Sequence, residues 1–315
     1  MMASSYRLSD AESQQIFRTR IVPAEVAAAP DPTSRHRQPF ALLIVGQIGA
    51  GKSTLSPRLL AALRGEGEGG PVTHLVADAF KRYHPAYASL LSSSSSPPAL
   101  ASAATGPDAR RWLIMAAEEV ARRKGNVLIE SACRYVEDFK TLLEIFGSGG
   151  GCYGLCVVFL AVPLALSRLG IAMRFYTGSE SRLTPAVVHD QSCDGLLRAA
   201  AFVDGDDPAV AFRLLVLRRD GNVVFCPPGG LVDALTAERG RRLRAEERET
   251  VDRELGLLKT CGSGHAAKLA DEIGALLLPL TEGGDDALTV VEVRPLEIKR
   301  GTGEDGQAWN VLRLP

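Results

Sequence analysis

The chain has 315 residues, of which 46% are hydrophobic, so it is long and apolar enough to bury the core of a large α/β domain. Its 36 basic and 37 acidic residues leave a formal net charge of -1, which gives no overall field that would draw the chain to nucleic acid or to an anionic membrane. The longest apolar run, GLCVVFLAVPLAL, contains Pro163 and is too short to span a bilayer. We therefore expect partners that are neither nucleic acids nor membranes.

The N-terminal segment and the cysteines bear on the cellular compartment. MMASSYRLSDAESQQ is polar and acidic and lacks the apolar stretch of a secretory signal. The six cysteines lie in apolar surroundings without a CxxC pair, which is typical of reduced thiols packed as small buried residues. We therefore expect a cytoplasmic protein.

Predicted strands alternate with predicted helices along most of the chain. The predicted strands are, in order, FALLIVG (40–46), THLVADAF (73–80), NVLIES (126–131) and GLCVVFLAV (154–162). The predicted helices are, in order, KSTLSPRLLAALRG (52–65), PDARRWLIMAAEEVARRKG (107–125), EDFKTLLEIFG (137–147) and PLALSRLGIAMRFY (163–176). This alternation predicts an α/β fold, with a mostly parallel sheet and helices on both of its faces.

The remaining segments complete the predicted architecture. FRLLVLRRDGNVVF (212–225) predicts a hairpin around an Asp-Gly turn. Residues 235–258 carry Glu and Arg at helical spacing, which indicates a solvated helix face rather than a nucleic-acid patch. Residues 289–315 alternate apolar and polar side chains around GTGEDG, which predicts an added hairpin. We expect one domain over residues 1–285 and a C-terminal β-hairpin extension over residues 286–315.

The stretch IVGQIGAGKST (44–54) fits the phosphate-loop pattern GxxxxGK[ST]. It lies between a predicted strand and a predicted helix, so its backbone N–H groups and the helix N-terminus would surround the phosphates of ATP. Lys52 is expected to reach the β- and γ-phosphates, and the Ser53 hydroxyl is expected to bind Mg²⁺. The predicted nucleotide-binding residues are Gly46, Gln47, Ile48, Gly49, Ala50, Gly51, Lys52, Ser53 and Thr54.

Acceptor residues are expected at the carboxyl ends of the other strands, where ligands of open α/β sheets bind. Asp78 lies near the carboxyl end of the second strand and suits the base that accepts the proton of an attacking hydroxyl, although a helix N-cap or a water-mediated magnesium ligand fits equally. Glu130 and Ser131 end the third strand, Arg134 follows it, and the three suit a sugar or nucleotide substrate. A structural salt bridge is the alternative for these charges.

Two arginines flank a short Gly/Ser loop after the fourth strand–helix unit. Arg174 lies near the end of the predicted helix, and Arg182 follows the loop TGSES. This arrangement is typical of the lid of a small phosphotransferase, which neutralises the charge of the transferring phosphoryl group. Each arginine alone would be read as an ordinary surface residue.

Several of these motifs together resemble the zeta toxin family, P-loop kinases related to bacterial UDP-N-acetylglucosamine kinases. The matching segments occur in the family's order, from near the N-terminus to about residue 258. They are LSDAESQQIFRTRIVP, GQIGAGKS, DAFKRYHPAY, GNVLIESACR, RFYTGSESRLTPAVVHD and AERGRRLRAEE. The resemblance implies a P-loop kinase domain with a helical N-terminal segment.

The resemblance also implies a role for each matching residue. Lys52 and Ser53 would hold ATP and Mg²⁺, and Asp78 would activate the 3'-hydroxyl of the N-acetylglucosamine unit. Glu130 would help to bind that substrate, and Arg134 falls at a family arginine. Arg174 and Arg182 would stabilise the transferred phosphoryl group.

Three positions depart from the family pattern. Ile48 replaces a frequent proline, Lys81 replaces an arginine, and Ala132 stands where a threonine is common. Loss of the threonine hydroxyl changes the acceptor pocket, whereas the charged residues needed for transfer are present.

The residues and the resemblance together predict an ATP-dependent kinase of UDP-N-acetylglucosamine, and the resemblance implies that it acts as the toxin of a toxin–antitoxin system. Its partner would be a small helical antitoxin on a separate chain that covers the nucleotide site. Two alternatives remain open, a kinase of another small hydroxyl metabolite or antibiotic, and a non-catalytic nucleotide-binding module.

Overall fold

A mostly parallel sheet forms the centre of the computed structural model, which describes residues 6–27, 38–64, 71–92, 98–147, 153–178, 182–205, 212–281, 292–300 and 310–314. In these ranges the strands are β1 (Phe40–Val45), β2 (Val72–Val76), β3 (Asn126–Ser131), β4 (Gly154–Leu160), β5 (Arg213–Leu217), β6 (Asn222–Val224), β7 (Val293–Pro295), β8 (Glu297–Arg300) and β9 (Val311–Leu314). The first seven form one sheet in the order β2-β3-β1-β4-β5-β6-β7. Strands β1 to β5 are parallel to one another, and β6 and β7 are antiparallel additions.

Helices cover both faces of this sheet. They are α1 (Asp10–Ile16), α2 (Val22–Glu25), α3 (Lys52–Arg64), α4 (Ala77–Phe80), α5 (Tyr87–Ser92), α6 (Pro98–Arg122), α7 (Val136–Gly147), α8 (Leu164–Tyr176), α9 (Ala186–Asp204), α10 (Leu231–Gly240), α11 (Ala245–Thr260) and α12 (Gly264–Thr281). A π-helical turn, Phe17–Ile21, joins α1 to α2, and a 3-10 turn, Lys81–Tyr83, follows α4. Among the helices in the described ranges, none has both the length and the hydropathy that a membrane crossing requires.

The alternation of side chains along β1 builds two cores. Leu43 and its neighbours at alternate positions pack with Trp112 of α6 and Phe139 of α7 on one face. Leu42 packs with Leu59 of α3 on the other face, where α8, α11 and α12 also contribute. Every residue of β1 is buried, as expected for a central parallel strand covered by helices on both sides.

The predicted fold class and the four parallel strands are confirmed. The second strand ends earlier than predicted, because residues 77–80 begin helix α4. Helix α6 starts at Pro98, well before the predicted residue 107, and α9 was not predicted at all. The β5–β6 hairpin is present, with Gly221 in its turn at φ 85°.

The predicted C-terminal hairpin is wrong, although strands do form there. β8 and β9 pair in parallel, with Glu297 opposite Val311, whereas a hairpin requires antiparallel strands. β7 instead extends the main sheet by pairing with β6. Alternation identifies a strand but not its partner, and the predicted GTGEDG turn lies outside the described residues.

The charged segment 235–258 is not solvated along its whole length. It is divided between α10 and α11, and Glu238 is 1% exposed. The Glu238 carboxylate accepts hydrogen bonds from Arg218 at 2.5 and 2.6 Å and from Arg241 at 2.9 Å. Paired charges therefore join α10 to the end of β5, which was missed because helical spacing does not distinguish a solvated pair from a buried one.

Candidate active site

The phosphate loop joins β1 to α3, and its backbone depends on glycine. Gly49 and Gly51 have φ angles of 81° and 97°, in the left-handed region that other residues rarely adopt. A Cβ atom on Gly49 would lie 2.1 Å from the carbonyl oxygen of Ser167 in α8. The N–H of Gly46 donates to the carbonyl oxygen of Ser131 at 3.1 Å, which attaches the loop to the end of β3. The motif therefore has the strand–loop–helix context that a phosphate loop needs.

The other end of the motif enters the first turn of α3. Ala50 is buried, and its N–H donates to the carbonyl oxygen of Gln47 at 3.1 Å. Ser53 and Thr54 are exposed in the first helical turn. The exposed turn lies at a helix N-terminus, where backbone N–H groups and the helix dipole favour an anion.

Hydrogen bonds from neighbouring elements fix the loop. Gln47 is fully buried, and its Nε2 donates to the carbonyl oxygen of Val162 at 2.7 Å. The N–H of Ile48 donates to the Ser192 hydroxyl of α9 at 3.2 Å, and that hydroxyl donates to the carbonyl oxygen of Ala132. The Gln47 side chain and the Ile48 N–H, both predicted at the nucleotide, therefore bind protein atoms and hold the loop in place.

Lys52 is turned back onto the loop. Its Nζ donates to the carbonyl oxygens of Gly46 at 2.7 Å and Gln47 at 3.2 Å. Burial lowers the pKa of Lys52 to about 8; the Glu130 carboxylate opposes this effect, and the Arg174 charge adds to it. An anion bound at the loop would restore a stronger preference for the protonated form.

Glu130 lies beside the first turn of α3 and is 6% exposed. Its Oε2 accepts a hydrogen bond from Ser53 Oγ at 3.4 Å, and its Oε1 lies 3.0 Å from Nε2 of His74 in β2. Burial acts to raise the pKa of Glu130, but hydrogen bonds from His74 and Ser56, together with the charge of Lys52, outweigh it and hold the pKa below its usual value. A carboxylate beside a hydroxyl provides the oxygen ligands that Mg²⁺ prefers, so Glu130 and Ser53 fit a metal site.

Asp78 lies in α4 directly after β2, and Lys81 holds its carboxylate. Lys81 Nζ is 2.5 Å from Asp78 Oδ1 and also donates to Ser102 Oγ at 3.0 Å. Nearby protein atoms displace part of the water around the Asp78 carboxylate and act to raise its pKa, but Lys81, and then Arg182 and Lys52, outweigh this effect and lower the pKa. The side chain remains 77% exposed, so Asp78 presents an ionised and accessible carboxylate.

The two predicted lid arginines lower the pKa values of two different residues of this site. Arg174 lies in the last turn of α8, and its charge lowers the pKa of Lys52. Arg182 precedes α9, and its charge lowers the pKa of Asp78. The loop residues 179–181 between them lie outside the described residues. The structure thus brings charges from five separate segments to one end of the sheet.

Ser131 and Arg134 contact the protein on the other side of β3. Ser131 Oγ accepts the N–H of Cys133 at 3.1 Å, in a turn where Cys133 has a φ of 50°. Arg134 Nε donates to Oε1 of Gln191 in α9 at 2.7 Å, and its guanidinium lies 5.2 Å from the centre of the Tyr135 ring. These contacts attach the turn after β3 to α9.

Three cationic residues at the site were not predicted to act there. Lys81 carried a signal, because it follows Asp78 at a spacing that brings side chains together on a helix. Arg239 Nη2 donates to Gln47 Oε1 at 3.3 Å, and Arg219 Nη2 donates to the Gly49 carbonyl oxygen. Both arginines are far from the loop in sequence, and only the folded chain brings them to it.

One solved structure, a chain of a toxin–antitoxin system, has the same fold. The toxin–antitoxin system PezAT of Streptococcus pneumoniae contains a chain that is 18% identical, with 87% of this chain and 100% of that chain covered and a TM-score of 0.60. A putative kinase from Chloroflexus aurantiacus is 18% identical, over 58% of this chain and 87% of that chain, with a TM-score of 0.38. A complex of AvrRxo1-ORF1 and ORF2 with ATP contains a chain that is 17% identical, over 86% of this chain and 84% of that chain, with a TM-score of 0.43. At the last two scores the resemblance does not bear on the fold.

Sequence comparisons complete the assignment. A search of curated proteins finds no match to this chain. The family model described as zeta toxin matches residues 24–227, which is more than half of the chain. The phosphate loop, Asp78, Glu130 and both lid arginines fall within that match. The chain therefore belongs to the zeta toxin family.

Proposed function

We propose that this protein transfers the γ-phosphoryl group of ATP to a hydroxyl of a nucleotide sugar, with the 3'-hydroxyl of the sugar of UDP-N-acetylglucosamine as the acceptor. The observation that carries the proposal is the environment of Asp78. Its carboxylate is exposed and bound to Lys81, and the charges of Lys52 and Arg182 hold its pKa down. A base that must accept a proton beside a phosphate cradle needs this combination of access and ionisation.

The phosphate loop and α3 would bind the triphosphate. Lys52 would exchange its bonds to loop carbonyl oxygens for bonds to phosphate oxygens, which are charged and therefore stronger acceptors. Ser53 and Glu130 would hold Mg²⁺, which when bound neutralises part of the phosphate charge. Gly49 and Gly51 let the loop backbone approach the nucleotide closely.

The transfer step would use Asp78 and the lid arginines. The acceptor hydroxyl oxygen bonds to the γ-phosphorus, the bond from that phosphorus to the bridging oxygen breaks, and ADP leaves with the electron pair. The hydroxyl proton passes to the Asp78 carboxylate. Arg174 and Arg182 would stabilise the charge on the transferring group, a contribution that commonly amounts to about 10³ to 10⁵ in rate.

The residues at the end of β3 and in the turn that follows have different roles in this proposal. Glu130 was predicted at the acceptor, but its burial against Ser53 supports a place on the metal side of the site. Ser131 supports the turn that follows. Arg134 remains the candidate for the acceptor, since it lies on the exposed turn at the carboxyl end of β3.

We also propose that the protein is a toxin restrained by a separate antitoxin. The support is membership of the zeta toxin family and the likeness to a chain of the pneumococcal toxin–antitoxin system PezAT. Depletion of a cell-wall precursor would harm the host unless a partner covered the nucleotide site. Growth of a host that expresses the active chain alone tests this part, and normal growth would contradict it.

The enzymatic proposal is tested with purified chain, ATP, Mg²⁺ and UDP-N-acetylglucosamine, with products identified by mass spectrometry. Asp78→Asn and Lys52→Ala remove the proposed base and the phosphate contact. Asp10→Asn is the matched control, because Asp10 is an exposed carboxylate on α1 that pairs with Arg111 at 2.7 Å. A phosphorylated sugar nucleotide made by the wild type and the control, but not by the other two, is expected.

Other outcomes separate the alternatives. ATP consumption with another hydroxyl compound, and none with UDP-N-acetylglucosamine, would establish a kinase of a different metabolite or antibiotic. ATP binding without transfer to any acceptor, unchanged in Asp78→Asn, would establish a non-catalytic nucleotide-binding module. Absence of ATP binding would contradict the proposal as a whole.

A further inference from the structure

Arg219 lies in the turn between β5 and β6 and reaches the phosphate loop. Its Nη2 donates a hydrogen bond to the carbonyl oxygen of Gly49. A Cβ atom on Gly51 would lie 3.5 Å from Cγ and 3.6 Å from Nε of Arg219, so the side chain extends along the loop from one left-handed glycine to the other. The turn follows the carboxyl end of β5, which is the edge of an open parallel sheet where ligands bind.

Helix α8 leaves room for this side chain. Gly170 lies next to Arg219, and a Cβ atom on Gly170 would come within 2.7 Å of Arg219 Nη2 and 3.0 Å of the Gly49 carbonyl oxygen. Any larger residue at position 170 would push the guanidinium away from the loop. Arg174 follows Gly170 by one helical turn, so both residues lie on the same side of α8.

Arg219 shares its surroundings with other cations. Arg219 is exposed to solvent on one side, and the protein atoms around its guanidinium displace water and lower its pKa; Glu254 and Glu247 of α11 oppose this, and the charge of Arg174 adds to it. Arg174 also lowers the pKa of Lys52, on the same loop. The positive charges at the loop thus repel one another and disfavour one another's protonated forms, and a bound polyanion would relieve that repulsion.

We propose that Arg219 binds the phosphate chain of the nucleotide, together with Lys52 and the loop backbone. This inference rests on the proposed use of ATP and adds a contact that the phosphate-loop motif does not contain. A guanidinium has five N–H donors in a plane that suits phosphate oxygens, and the described contact with Gly49 uses one. That contact also holds the cation at the loop before the nucleotide arrives, which reduces the side-chain entropy lost on binding.

The test measures binding to the full chain by isothermal titration calorimetry, without any acceptor. The two probes are the Mg²⁺ complex of the non-hydrolysable ATP analogue AMP-PNP and inorganic tripolyphosphate, which carries phosphates without a base. The variants are Arg219→Ala and Arg219→Lys. Arg294→Ala is the matched control, because it removes an exposed arginine charge from β7, where Arg294 pairs with Glu292 at 2.5 Å.

Arg219→Ala is expected to lower the affinity for both probes by about ten- to hundredfold, the usual effect of losing a charged hydrogen bond. Arg219→Lys should lose less, because it keeps the charge, and Arg294→Ala should match the wild type. Affinity should fall less steeply with added KCl in Arg219→Ala than in the wild type, since one charge no longer contributes. Thermal unfolding without ligand checks that each variant is folded.

Several results would overturn the inference. Equal affinities of wild type and Arg219→Ala for both probes would show that Arg219 does not bind the phosphates. A loss confined to AMP-PNP would place Arg219 at the base or ribose. In a third outcome, Arg219→Lys loses as much affinity as Arg219→Ala while the salt dependence of Arg219→Ala stays equal to that of the wild type. That result would mean that Arg219 only supports the loop through Gly49.

The same data distinguish this inference from the proposed function. A wild type that binds neither probe would contradict both. In another outcome, the wild type does not phosphorylate UDP-N-acetylglucosamine, but Arg219→Ala still binds both probes more weakly than the wild type does. That outcome would support the phosphate contact and contradict only the proposed acceptor.

Discussion

Lys81 Nζ lies 2.5 Å from Asp78 Oδ1, and Lys81 is 8% exposed while the Asp78 side chain is 77% exposed. A buried cation therefore holds an accessible carboxylate by one of its oxygens. This relationship sets both the position and the charge of the proposed base, so Lys81 is a positioning residue that acts through Asp78.

Lys81→Met should lower kcat by about a hundredfold, since small misplacements of a reacting group cost about that much. The pKa of Asp78 should also rise, which moves the acid limb of the pH–kcat profile to higher pH. Lys140→Met is the control, because Lys140 pairs with exposed Glu137 at the same spacing. An unchanged acid limb in Lys81→Met, with kcat reduced, would indicate a purely structural role.

Glu130→Gln should raise the Mg²⁺ concentration needed for half-maximal activity by about ten- to hundredfold, because the variant removes a charged oxygen beside Ser53. Steady-state rates over a range of Mg²⁺ concentrations measure the change, and Glu137→Gln serves as an exposed control. If the KM for the acceptor rises instead and the Mg²⁺ dependence is unchanged, Glu130 binds the acceptor, as the family resemblance implies.

The affinity for AMP-PNP should fall as pH rises through about 8, the pKa of Lys52 in the free protein. The protonated amine attracts phosphate and the neutral amine does not, so the decline should approach but not exceed about tenfold per pH unit. Lys52→Arg stays charged over this range and should lack the decline, even if its affinity is lower throughout. A wild-type affinity that is constant from about pH 7 to 9.5 would contradict the assignment.

Gly49→Ala should destabilise the protein and abolish nucleotide binding. The new Cβ would lie 2.1 Å from the carbonyl oxygen of Ser167, at a φ of 81°. Gly229→Ala is the matched control, because Gly229 has a φ of 71° and its Cβ would meet nothing within 4 Å. The control should lose about 1 kcal/mol of unfolding free energy in a denaturant titration, and Gly49→Ala should lose more. Equal losses would mean that the loop moves away from α8 without cost.

The unfolding free energy should decrease as the pH is lowered below about 6.5, the ordinary pKa of histidine. The cause is His189, which is buried in the folded protein. Its Nε2 lies 2.7 Å from Ser167 Oγ. Burial lowers the pKa of His189, and the nearby Arg168 adds to this, while Asp190 opposes it. The unfolded chain therefore binds a proton that the folded chain does not, so the unfolding free energy decreases as pH falls from about 6.5 toward the folded pKa.

The difference between wild type and His189→Gln isolates this effect. The pH dependence of unfolding should be shallower in the variant between about pH 6.5 and 5. His265→Gln is the control, because His265 is exposed and bonded to Tyr176. Parallel stability curves for wild type and His189→Gln would contradict the prediction.

The local features of this protein could be predicted from its sequence. The phosphate loop was predictable because the glycines, the lysine and the hydroxyl act within a few residues of one another, between a strand and a helix. The parallel strands were predictable because full burial leaves continuous apolar runs such as FALLIV. The Asp78–Lys81 pair lies within one helical turn, so its signal was also local.

Only the tertiary structure decided which distant groups meet. The parallel pairing of β3 with β1 brings Glu130 to Ser53, 77 residues away in sequence. Arg219 reaches Gly49 across 170 residues because β5 is added to the same sheet edge. The C-terminal strands alternate as a hairpin would, yet β8 and β9 are parallel. Side-chain periodicity records which face of an element is buried, whereas the partner of each strand and charge is set by packing between segments far apart in the chain.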